Sequence, residues 1–132
     1  MLVAGPVMDG HAFSKGANAL TGRTSPWNTF AVWSVRHLAL TGFPMIGDGV
    51  GADRAMGGVE EVSAINLLQK VNPELKAVLV RFTSHEVQWN TRFEYPERQK
   101  YHDKKMASKN ERPARQMAIL GIAPGQVFHA EI

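Results

Sequence analysis

The chain contains no cysteine, which excludes disulfides and thiolate metal sites. Any metal must use His, Asp or Glu, and the composition is compatible with a reducing compartment. No run approaches the roughly 18 uninterrupted apolar residues that a membrane-spanning helix requires. The start, Met1-Leu-Val-Ala-Gly-Pro, lacks the charged n-region and long apolar h-region of a signal peptide. These absences give the expectation of a soluble, unexported, cytoplasmic protein. The sequence Asp-x-Asp occurs nowhere, and the five histidines (His11, His37, His85, His102 and His129) show no zinc-binding spacing. Each reads as an ordinary surface or half-buried histidine. Internal repeats and low-complexity tracts are absent as well.

What is present suits one α/β domain. At 132 residues and 44% hydrophobic content, the chain can bury one core of ordinary size, so residues 1–132 read as a single domain. The formal charge of +3 is unevenly placed: from Arg98 to Arg115, seven Lys and Arg face only Asp103 and Glu111. This basic helical segment, 96–120, is either a solvated face or a patch for phosphate-bearing partners, with Lys104, Lys105 and Lys109 as the candidate contacts.

Along the chain, residues 2–7 read as an edge strand and 9–26 as a long loop punctuated by glycine. Residues 28–33 are rich in aromatic and β-branched types and suit a strand, and 35–40 a short helix closed by Thr41-Gly42. Residues 43–58 carry five glycines after Pro44 and read as a mobile loop outside the core, most mobile from 48 to 57 and able to act as a lid. Residues 59–71 form the strongest helix pattern, stopped by Asn72-Pro73. The near-continuous apolar run 76–82 suits a strand covered on both faces. Pro96 opens another helix through His102 and Met106, and Pro113 breaks or restarts it. A last helical stretch ends at Gly121, and 126–132 read as a final strand. The expected fold is a small mixed sheet with flanking helices.

On a helical wheel, 59–71 places Ala64, Ile65, Leu67, Leu68 and Val71 on one face and Ser63, Asn66, Gln69 and Lys70 opposite. Glu60 and Glu61 fall on the apolar side, beside the glycine-rich loop. Two readings stay open: acids stabilised by the helix dipole at about 0.3–1 kcal/mol each, or a site where the core opens. Asp48 and Asp53 are too loosely spaced to specify a calcium or magnesium loop and suit a solvated turn. Trp27 and Trp89 share a context, Pro-Trp-Asn-Thr and Gln-Trp-Asn-Thr, which serves either core packing or a pocket for a polar ring.

Taken in order, Leu2-Val-Ala-Gly, Asn28-Thr-Phe-Ala-Val-Trp33, Leu40-Thr-Gly-Phe43, Gly58-Val-Glu-Glu61 and Ala77-Val-Leu-Val80 resemble the acceptor-side, C-terminal half of a GT-A glycosyltransferase of the family 2 type. The resemblance covers residues 1–82 and leaves the basic segment unplaced. It implies a partial GT-A fold, a sugar nucleotide and a hydroxyl acceptor as partners, and a divalent metal such as Mg or Mn as cofactor. It also implies an acidic pair that supplies the base deprotonating the acceptor. Glu61, in line with Ile65 and Leu68 at i+4 and i+7, is the cleft-facing candidate base, with Glu60 its neighbour or a helix-start acid. Trp27, Asn28, Asp48 and Trp89 are the candidate substrate-binding residues. The nucleotide-binding half with its Asp-x-Asp is missing, so the resemblance implies a fragment of a larger glycosyltransferase domain, or a remnant that needs a partner. The rival expectation, from another class, is a small basic module that binds nucleic acid or another polyanion. A third is a subunit that only packs against a larger protein.

Overall fold

The computed structural model describes residues 1–49 and 54–132. It is an α/β fold built on a five-stranded mixed sheet in the order β2-β5-β4-β1-β3. The strands are β1 (Val3–Pro6), β2 (Gly16–Ala19), β3 (Val32–Trp33), β4 (Ala77–Arg81) and β5 (Gln126–Glu131), and the helices are α1 (Val35–Leu38), α2 (Glu60–Val71), α3 (Pro96–Ala107) and α4 (Glu111–Leu120). The parallel strands β1, β4 and β5 form the centre, with β3 antiparallel to β1 and β2 antiparallel to β5 at the two edges.

The alternation of a strand assigns every side chain to one of two faces. Val3, Ala77, Leu79 and Val127 turn to the face where α2 lies, and pack with Val62, Ile65 and Leu68 of that helix. Helices α1 and α4 pack in turn on α2. The residues between them face the other way. Register aligns Ala17, Phe128, Val78, Ala4 and Val32 in one row across all five strands, with Ala130, Val80 and Pro6 in a second. Phe128 and Val32 on that row are 50% and 72% exposed.

Several elements differ from expectation. The strand at the N-terminus is interior, not an edge, because β3 pairs only with Val3 and Ala4. The missing N–H of Pro6 therefore costs no ladder bond on that side. β2 lies inside the expected long loop. Its sequence Gly-Ala-Asn-Ala lacks β-branched and aromatic residues, and it is held by pairing with β5 alone. Residues 28–33 divide into a 3-10 turn (Asn28–Phe30) and the two-residue β3. β4 is the central strand but is covered on one face, with Val78 and Val80 half-buried on the other. Phe82 lies beyond it and is exposed.

The segment 43–58 is not wholly outside the core. It forms 3-10 turns at Met45–Asp48 and Arg54–Met56, and Gly47 and Met56 are buried. Gly47 presses on the Cα and Cβ of Glu60, where a side chain would not fit. The expected lid and Asp53 fall partly or wholly on 50–53, outside the described residues. α2 is wrapped more fully than its wheel suggests. Ser63 is buried against the Met45–Asp48 turn and Asn66 against Gly125, whose N–H it accepts, while Val71 is exposed at the helix end. The helices from Pro96 and up to Gly121 are both present. Pro113 sits in the first turn of α4 and restarts the helix, and Gly121 closes it at φ 64°. Among the described residues, no helix is long and apolar enough to cross a membrane.

Candidate functional site

The start of α2 is built under constraint. Gly58 has φ 86°, and Val59, the residue before the first helical turn, has φ 61° and ψ 35°. A β-branched residue in the left-handed region is strained, by about 1–3 kcal/mol. Helix α4 holds it there. Arg112 donates to the carbonyl oxygens of Gly57 (2.7 Å) and Lys105 (3.0 Å) and to Ser108 Oγ (3.1 Å). One turn further on, Gln116 Nε2 donates to the carbonyls of Met56 (2.9 Å) and Gly58 (3.1 Å). The i, i+4 pair on α4 thus clamps residues 56–58 and sets the direction in which Glu60 and Glu61 project.

The two carboxylates meet different surroundings. Glu61 is 3% exposed and lines a cavity of about 350 Å³ together with Trp27, Asn28, Glu60, Trp89, His102, Lys105, Lys109 and Arg112. Among the described residues it makes no ion pair within 4.0 Å. Burial pushes its carboxyl up to about 7, against the pull of its own backbone N–H and of Lys109 and Arg112, while Glu60 adds to the rise. Glu60 is half-buried on the same wall and accepts from Asn28 Nδ2 at 2.9 Å; Asn28 Oδ1 in turn accepts from Trp33 Nε1 at 2.9 Å.

Opposite stands a cationic and aromatic wall. Lys109 Nζ lies 3.9 Å from the centre of the Trp27 ring, and burial lowers its ammonium despite Glu61 and Glu60 nearby. Burial lowers the Arg112 guanidinium too. His11 stacks on Trp27 at 3.7 Å, so both faces of that indole are taken. Trp27 is 1% exposed and donates Nε1–H to the Gly22 carbonyl at 2.6 Å. It therefore supports the wall, and a ligand has no ring face of Trp27 to stack on. Trp89 meets Trp27 edge-on at 5.5 Å and His102 at 5.8 Å.

The structure brings together Glu61, Glu60, Trp27, Asn28, Trp89, Lys105 and Lys109 from the candidates named in the sequence. Asp48 is exposed on the Met45–Asp48 turn, and Lys104 is exposed on α3; neither lines the cavity. Sequence reasoning missed Val59, His102, Arg112 and Gln116. The i, i+4 spacing of Arg112 and Gln116 was visible, but nothing in it reveals that both reach across to residues 56–58.

One histidine, His129, departs from the expected surface or half-buried setting, whereas His11 is half-buried. His129 is fully buried, accepting from the Ser14 N–H at 3.1 Å and donating to the Thr24 carbonyl at 3.0 Å, and burial lowers its imidazole. His11 is lowered to about 4, chiefly by burial. His129 ties the 8–25 segment to β5, while His11 links Met8 to Ser25 within that segment.

A larger crevice, about 700 Å³, opens beyond the carboxyl ends of β1 and β4 and shares Trp89. Its titratable groups, Asp9, Arg81, His85 and Glu86, are all exposed. The smaller cavity is the candidate site because it alone of the two contains a buried carboxyl whose acidity is moved toward neutrality. Among the described residues there is no group of three or more His, Asp or Glu that could hold a metal. The residues present therefore do not by themselves fit the Mg or Mn implied by the resemblance. Comparison with protein-family models, curated proteins and solved structures finds no match.

Proposed function

We propose that this chain forms the acceptor side of a sugar-transfer site, with Glu61 as the base. The acceptor hydroxyl oxygen bonds to the anomeric carbon of a nucleotide-activated sugar. Its proton passes to the Glu61 carboxylate, and the bond to the diphosphate breaks with its electron pair leaving on the diphosphate. A nucleotide-binding half supplied by other polypeptide completes the site. The observation that carries this reading is Glu61 itself, buried on a cavity wall, without an ion-pair partner among the described residues, and raised to about 7. A base works best with its acidity near the operating pH, where it contributes about 10²–10⁴-fold. Lys105 and Lys109, on the same cavity, are suited to the diphosphate charge.

The test uses a preparation that includes the nucleotide-binding half and shows transfer. Glu61→Gln is expected to remove most turnover with folding and donor affinity kept, and Glu60→Gln to act more mildly. Full activity in both variants, or unfolding of both, would make the pair structural.

A second reading has one observation in its favour. Every residue of α3 is exposed or half-buried, and it carries Arg98, Lys100, Lys104 and Lys105, as a surface that binds nucleic acid or another polyanion would. Counterion release makes such binding fall steeply with salt, whereas sugar contacts respond little.

A further inference from the structure

The cavity that Glu61 lines carries positive charge that the described residues leave without ion pairs. Lys109 Nζ lies 3.9 Å from the centre of the Trp27 ring, and Lys105 Nζ lies 5.0 Å from that of Tyr101. Among the described residues neither ammonium has a carboxylate within 4.0 Å, although Glu60 and Glu61 line the same cavity. Arg112 is 8% exposed and donates to Ser108 Oγ and to the carbonyls of Gly57 and Lys105, all of them neutral. We propose that this cavity is a diphosphate subsite in which Lys105, Lys109 and Arg112 hold the anion, and that the anion binds together with a proton on Glu61. The identity of the anion rests on the sugar-transfer reading above, and the coupling rests on the cavity itself.

A cation drawn out of water without a counter-charge is costly. Burial lowers both Lys109 and Arg112, and an incoming anion offsets that cost. Two ammonium groups supply point charges and the guanidinium a planar fork, which together suit phosphate oxygens. The carboxyls decide the part of the proton. Glu60 accepts from Asn28 Nδ2, whereas Glu61, 3% exposed, has no ion pair among the described residues. The other charged or titratable groups lining the cavity are His102 and Lys105 from α3, Lys109 from the α3–α4 connection and Arg112 from α4. An anion held by the cations brings a like charge to Glu61 and favours its protonated form. Glu61 already stands at about 7, so the exchange falls near neutral pH. Coupling is reciprocal, and a proton on Glu61 strengthens anion binding by the same factor. In transfer, breaking the bond from the anomeric carbon leaves one more negative charge on the diphosphate, while the acceptor's proton removes one from Glu61. The net charge of the cavity is then unchanged.

Isothermal titration calorimetry of the intact chain with sodium sulfate tests this. Sulfate is a dianion that does not itself titrate near neutrality, so a proton exchanged on binding belongs to the protein or the buffer. At constant ionic strength the affinity should fall about tenfold between about pH 6 and about pH 8.5, equivalent to about one pKa unit of coupling. Near pH 7, buffers of different ionisation enthalpy should reveal proton uptake. Glu61→Gln should abolish the uptake and bind sulfate at the higher pH as tightly as wild type does at the lower. Lys109→Met should weaken binding at least about tenfold, and Lys105→Met, at an exposed position, supplies a second variant should the first fail to fold. Lys104→Met, outside the cavity, should bind as wild type does.

No saturable binding overturns the proposal. Equal weakening in Lys104→Met overturns it too, by placing the anion on the outer face of α3, and uptake that persists in Glu61→Gln overturns the coupling by assigning the proton to His102. The sugar-transfer reading fails separately. Sulfate binding with proton uptake, in a protein whose Glu61→Gln variant keeps full transfer, retains the coupled anion site and removes Glu61 as the base. Loss of transfer in Glu61→Gln without sulfate binding to wild type does the reverse.

Discussion

Glu61 links acidity to stability in a way that a single substitution can read. A carboxyl raised from its ordinary 4.5 to about 7 contributes stability that is fully present below about 4.5 and lost as pH rises through about 7, a loss of about 3 kcal/mol. His11, lowered to about 4, acts in the opposite sense over an overlapping window: its contribution is present above 6.5 and is lost as pH falls through about 4. The wild-type curve mixes the two, so the informative quantity is the difference between wild type and Glu61→Gln. Urea unfolding should find the two proteins similar near pH 4.5 and the variant more stable by up to about 3 kcal/mol near pH 8. A difference that stays flat with pH would show that Glu61 titrates normally. At this scale the acidic pair was legible, because two acids at a helix start on its apolar side are visible on a wheel. The left-handed Val59 was not, since local preference argues against it and only the clamp from Arg112 and Gln116 imposes it.

Among elements, the connection between α3 and α4 decides whether the cavity has its second wall. Gly22 passes so close to this connection that a Cβ there would fall on the carbonyl group of Lys109. Arg23 adds bonds from its side chain to the Met106 carbonyl (2.8 Å) and from its N–H to Asn110 Oδ1 (2.9 Å). Gly22→Ala must push the two backbones apart. We expect a loss of about 2–4 kcal/mol in thermal unfolding, and Lys109 drawn off Trp27, seen as altered indole fluorescence. Unchanged stability and fluorescence would mean that the connection adapts freely. Long elements with a clear period, α2 and β4, were readable from the chain alone, as were the proline and glycine limits of α3 and α4. β2 was not. Its four residues have weak strand preference and owe their conformation to a partner more than a hundred positions away, pairing Gly16 with His129.

For the whole molecule, the charge imbalance predicts behaviour on a polyanion. Lys104→Ala, Lys105→Ala and Lys109→Ala combined should lower the salt needed for elution from heparin, since every ammonium taken away from a bound sulfate leaves one fewer counterion to be released. Unchanged elution would leave α3 as a solvated face. The α/β class could be read from the succession of patterns, and the open face could not. A run such as Ala77-Val-Leu-Val80 is apolar whether its strand is covered once or twice, and only the placement of the helices distinguishes the cases.

β5, which follows the other four strands of the sheet in the sequence, lies inside the sheet. β5 pairs with β2 on one side and β4 on the other, so a nascent chain that ends before Gln126 leaves β2 without a neighbour and β4 with a bare edge. Long-range pairing of this kind closes large loops before it gains stability, which slows folding. On the ribosome, the sheet can be completed only after Gln126–Glu131 have cleared the exit tunnel. Until then the apolar strands already made have no finished structure to enter, and the interval suits recognition by a chaperone.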